Sequence, residues 1–139
     1  MRRHSYILTG LTLGFSVLFG NIAQADGNTP AASAKQLMIE DLVGLADKEV
    51  LMSTVTYPPG GASPPHRHDA QVFVYVLQGE LIMQVRGGPK VTLKPGETFY
   101  ESPTDVHAVS ANASQTRPAT FLVFIIKEKG APTTRAAAP

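Results

Sequence analysis

Between residues 50 and 126 the chain is a succession of short β-rich runs cut apart by proline and glycine, and this alternation leaves few folds open. The run at 71–77, Gln-Val-Phe-Val-Tyr-Val-Leu, is almost wholly β-branched or aromatic, the composition that suits a pleated, half-buried surface. Further strands are expected at 50–57, 80–85, 91–93, 98–101, 106–111 and 120–126. Pro58-Pro59-Gly60-Gly61, Gly79, Gly87-Gly88-Pro89, Pro95-Gly96, Pro103 and Pro118 separate them. Short strands with turn signals at close spacing predict an all-β sandwich or barrel. A helix is conceivable at 34–46, where Leu37, Met38, Leu42 and Leu45 partly share a helical face, but Gly44 weakens it and an extended arm fits equally well. The run from Phe121 to Ile126 is apolar on both faces of its strand, so it needs cover twice. The opposite sheet with the N-terminal arm would supply that cover, and so would a second subunit, which makes a homodimer one expectation.

The two ends of the chain read differently from this middle. Arg2, Arg3 and His4 precede an apolar run at 6–19 that ends at the small-x-small site Ala23-Gln24-Ala25. This pattern predicts a signal peptide over 1–25, cleaved after Ala25, and a periplasmic or secreted protein without a stable membrane anchor. Residues 26–36 read as a flexible lead-in and 129–139 as a flexible tail, leaving one domain at 37–128. Loss of Arg2 and Arg3 turns the formal charge of +1 slightly acidic, so a nucleic-acid partner is not expected.

Of the four histidines, cleavage would remove His4 and leave His66, His68 and His107. His66 and His68 flank Arg67, and in an extended chain residues i and i+2 project to one face, where two imidazoles can grip one ion. Arg67 then points away from them. A third imidazole has to come from another strand, and His107 is the one remaining. Neutral imidazole nitrogen suits zinc, copper, iron and nickel. Other chemistries lack their residues: the chain has no Cys, no glycine-rich loop opening a helix, and no Ser in a nucleophile elbow.

Gly60, five residues, His66-Arg67-His68, then Val72, six residues and Gly79 resemble the first cupin motif, G(X)5HXH(X)3-4E(X)6G, at every spacing. Gly96, five residues, Ser102, Thr104 and His107 are similar to the second motif, G(X)5PXG(X)2H(X)3N, in spacing more than in identity. The resemblance implies a double-stranded β-helix, or jelly-roll, barrel. It also implies a divalent metal ion, one of iron, manganese, nickel, copper or zinc, held by His66, His68 and His107.

The departures are as informative as the matches. The family's glutamate ligand falls at Val72, which cannot bind a metal, while Ser102, Thr104 and Ala111 stand where Pro, Gly and Asn are usual and Asn112 lies beside the last. Gln71 can offer an amide oxygen in its place, or Glu101 a carboxylate; Glu101 is preferred because its charge offsets that of the ion. Period two from Val72 sends Val72, Val74 and Val76 inward and Phe73, Tyr75 and Leu77 outward. By family analogy the expected activity is a metal-dependent, dioxygenase-like oxidation of a small phenolic or enol compound, with Glu101 as ligand or base. The alternatives are a non-catalytic cupin that binds a metal or small ligand, and a structural zinc.

Overall fold

A computed structural model describes residues 29–137. The leader expected at 1–25 lies outside them. Among the described residues every regular element is a strand: β1 (Ser33–Asp41), β2 (Lys48–Tyr57), β3 (Ala62–Ser63), β4 (His66–Arg67), β5 (Gln71–Gln78), β6 (Leu81–Val85), β7 (Val91–Leu93), β8 (Thr98–Glu101), β9 (His107–Asn112), β10 (Ala119–Glu128) and β11 (Arg135–Ala136).

The strands form two antiparallel sheets, one in the order β1-β2-β10-β5-β8 and one in the order β11-β4-β9-β6-β7, with β3 also paired to β9. Their facing surfaces make the core. β5 alternates strictly, with Val72, Val74 and Val76 buried and Phe73, Tyr75 and Leu77 exposed, as its period of two requires. β10 buries Phe121, Val123 and Ile125, and Leu81 and Met83 of β6 meet them from the second sheet. Burial of this kind stabilises by roughly 1.5 to 3 kcal/mol per large aliphatic or aromatic side chain, before the entropy of ordering it is counted. Glu49 and Lys127, direct partners across the β2–β10 ladder, carry the inner face to its end as a buried ion pair.

Gly79 closes the β5–β6 turn with φ of 75°. A Cβ there would stand 2.7 Å from the Pro118 carbonyl oxygen and the Ala119 Cα, so both backbone conformation and space require glycine.

Three expectations need correction. Residues 34–46 are not helical: β1 extends the first sheet by pairing with β2, with a bulge between Gln36 and Met38. The lead-in is shorter than residues 26–36, because β1 begins at Ser33. The tail is not free, because β11 pairs with β4.

The arm also does not lie over β10. It joins the edge of β2, so the outer face of the first sheet carries an uncovered row of Met38, Met52, Phe124, Phe73 and Tyr100 crossing all its strands. A groove of about 490 Å³ opens on this face between Phe73, Tyr75, Thr98, Tyr100 and Phe124.

Candidate metal centre

Pro64 and Pro65 deliver the chain into β4 extended, since a residue before proline is excluded from the helical region. The adjoining strand is anchored from the other sheet: the Tyr57 hydroxyl hydrogen-bonds the hydroxyls of Ser63 and Ser110, each at 2.7 Å. Asn112 fixes the loops around it, donating to the carbonyls of Pro58 at 3.0 Å and Arg117 at 2.7 Å and accepting from the Ser114 N–H at 2.8 Å. These contacts bring β4 against β9 in a register where His66 faces His107 directly.

The three histidines come together as a group whose ligand atoms lie within 4.8 Å of one another. The His66 ring is 4.9 Å from that of His68 and 5.0 Å from that of His107, centre to centre. Phe99 stacks on His107 at 5.8 Å and walls the centre on its inner side. Arg67 points outward and pairs with Asp69 at 3.2 Å.

Glu101 joins the group. It ends β8 on the inner face, 2% exposed, so it is no solvated strand end. Its Oε1 lies 3.1 Å from His107 Nδ1, and its Oε2 lies 3.9 Å from His68 Nε2. Gln71 does not join the group. It sits on the outer face of β5, where its amide oxygen accepts the Tyr100 hydroxyl proton. Its adjacency to Val72 sends it to the wrong side of the sheet, as the same period of two dictates.

The chemistry of these donors fits a divalent ion. His66 Nδ1 is 2.8 Å from the Pro64 carbonyl and His68 Nδ1 is 2.7 Å from the Thr133 carbonyl. A carbonyl can only accept, so both Nδ1 atoms carry the proton and both Nε2 atoms present lone pairs. Burial, with the two neighbouring imidazoles adding to it, pulls the His66 pKa down to about 4 against the pull of Pro64 and Glu101, so His66 is neutral at physiological pH. His107 Nε2 and Glu101 Oε2 are buried without a hydrogen-bond partner, a costly state for polar atoms unless something else satisfies them. Sequence reasoning missed Thr133, whose contribution is a backbone atom and leaves no mark in residue type.

Comparison with known proteins places these features in context. The family profile for the Cupin domain matches residues 53–125, which contain all three histidines and Glu101. A germin-like protein, subfamily 2 member 4, from Arabidopsis thaliana is 30% identical over 68% of this chain and 45% of its own length. The chain thus spans less than half of that relative. Among solved structures, the DMSP lyase DddQ of Ruegeria pomeroyi DSS-3 superposes with a TM-score of 0.62 at 21% identity, over 76% of this chain and 51% of the other. The polyketide cyclase RemF of Streptomyces resistomycificus superposes with a TM-score of 0.59 at 21% identity, over 81% and 78%. At such identities the likeness is one of fold.

Proposed function

This chain belongs to the cupin superfamily, and on that premise we propose that it is a metal-dependent enzyme acting on a small organic molecule, with His66, His68 and His107 as metal ligands and Glu101 as the proton acceptor. The observation that carries the reading is the pair of buried, unpartnered atoms, His107 Nε2 and Glu101 Oε2, facing a group of imidazoles whose other nitrogens are already engaged. His66, His68 and His107 would hold a divalent ion with positions left for a substrate, and the chemistry such an ion would supply is Lewis acidity toward a substrate oxygen.

The protein's own residues then have separable tasks. Pro64 and Thr133 orient two imidazoles through their carbonyls, while Glu101 Oε1 orients the third. Glu101 Oε2, buried and without a hydrogen-bond partner beside the imidazoles, is the atom that would accept a substrate proton. Val72 and Phe99 keep water from the inner side. Entry is from the side of His66 and His68, which are less buried than His107, because the interior beyond is filled by Val72, Val76, Leu81 and Met83.

Transfer of a substrate proton to Glu101 would open both a dioxygenase-like oxidation of a phenol or enol and an oxygen-independent elimination or cyclisation. The likeness in fold to a lyase and a cyclase supports testing both. The purified chain, loaded in turn with Fe, Mn, Ni, Cu and Zn ions, is to be assayed for oxygen uptake with phenols and enols and for product formation under nitrogen. Turnover that requires the ion and fails in Glu101→Gln even when that variant is saturated with ion supports the enzyme. The filled interior also supports a second reading, a cupin that binds a metal or small ligand without turnover. Stoichiometric binding with no product from any substrate class would favour it.

A further inference from the structure

His66 receives its orienting carbonyl from Pro64, two residues back along the chain, whereas His68 receives its own from Thr133, 65 residues further on. Thr133 belongs to the segment that follows β10. From Gly130, whose N–H donates to Glu49 Oε1 at 3.2 Å, the chain turns back along β4. Arg135 there pairs with Arg67 and Ala136 with His66, and the Ala137 N–H donates to the Pro65 carbonyl at 3.3 Å. β11 therefore turns the two-residue β4 from an edge into an internal strand. Arg135 Nε also lies 2.6 Å from Asp69 Oδ2, and Arg67 Nε lies 3.2 Å from Asp69 Oδ1. Asp69 directly follows His68 and has φ of 34°, a backbone region that non-glycine residues seldom occupy without local support.

We propose that residues 131–137 form a strap that positions His68, with the Thr133 carbonyl selecting the Nδ1–H tautomer and the Arg135–Asp69 contact holding the strap in place. The inference rests on the metal reading above in assigning Nε2 of His68 to the ion. The strap borders His66 through its backbone, but of the three imidazoles only His68 has its Nδ1 partner on the strap, since Pro64 serves His66 and Glu101 serves His107. Partners of this kind typically change metal affinity by about 10- to 100-fold. The Arg135–Asp69 pair is half-exposed, so on its own it contributes less than the backbone ladder and the bond to His68.

The test uses the full chain, a chain ending at Gly130, and full-length Arg135→Gln. Two quantities are read from each: the His68 tautomer in the metal-free protein, by long-range proton–nitrogen NMR, and Co2+ affinity, by competition with a chelator. In the full chain His68 is expected as the Nδ1–H form. In the shortened chain it becomes a tautomer mixture, His66 keeps its tautomer, and the Kd for Co2+ rises about 10- to 100-fold. Arg135→Gln moves both quantities the same way by less, and it decides the matter should the shortened chain fail to fold. An unchanged His68 tautomer together with a Kd within about twofold of the full chain would overturn the strap's role while leaving the metal reading intact. A full chain that binds no Co2+, yet whose His68 tautomer still depends on the strap, would remove the metal assignment and leave the positioning role standing.

Discussion

Glu101 stands directly opposite Val72 across the β5–β8 ladder, on the same inner face of the sheet. Cross-strand partners of this kind hold their Cβ atoms about 5 Å apart, so a carboxylate can be lost from β5 and supplied from β8 with little change in where it acts. Glu101→Gln is expected to weaken metal affinity about 10- to 100-fold. Val72→Glu combined with Glu101→Val should recover most of that loss, and chelator competition on the three chains measures both effects. A swapped chain no better than Glu101→Gln would show that the two positions are not equivalent.

Removal of His107 leaves two imidazoles, too few strong donors to retain an ion through purification. His107→Ala and His66→Ala should each lose bound metal by elemental analysis while keeping the β-sheet circular dichroism signal. Full occupancy in either variant would contradict the assignment of that histidine.

The metal-free protein should lose stability as it is acidified. The pKa of His66 is held at about 4, chiefly by burial, against an ordinary value of 6.5. Between these values the unfolded chain binds a proton that the folded chain refuses, so the contribution is complete above 6.5 and falls away as pH drops toward 4. The slope from this one group is at most about 1.4 kcal/mol per pH unit. Urea unfolding of chelator-treated protein across that window should show it, and His66→Gln should flatten the profile. Parallel profiles for the two proteins would place the acid sensitivity elsewhere.

Gly79→Ala should destabilise the barrel by about 1 to 3 kcal/mol, combining the positive φ with a contact against the Pro118 and Ala119 backbone that no rotamer relieves. Denaturant midpoints compared with those of Gly87→Ala isolate the steric part. Gly87 shares the positive φ but has open space where its Cβ would go.

What the sequence made legible followed from burial on one face. β5 could be read down to the direction of each side chain because its inner members are in the core and its outer ones are not. The His-x-His pair could be read for the same reason. β1 could not: all nine of its residues are exposed, so no alternation marks it, and Leu37 and Met38, with Leu42 and Leu45 beyond its end, imitate a weak helical face. β4 and β11 are two residues long, too short for any period, and they exist because backbone groups far apart in the chain meet. The tail's threonines and alanines look disordered by composition, and what orders them is a carbonyl and an ion pair with distant partners. Glu101 could be preferred over Gln71 on charge, but its position opposite Val72 depends on which strand lies beside β5, which residue spacing along the chain does not encode.

The facing of His66 and His107 in the β4–β9 ladder has one more consequence. A slip of a single residue there would send one imidazole to the outside of the barrel. An ion that needs both can be captured after the two strands have met in the right frame and not before, so uptake would double as a proofreading step on the finished sheet.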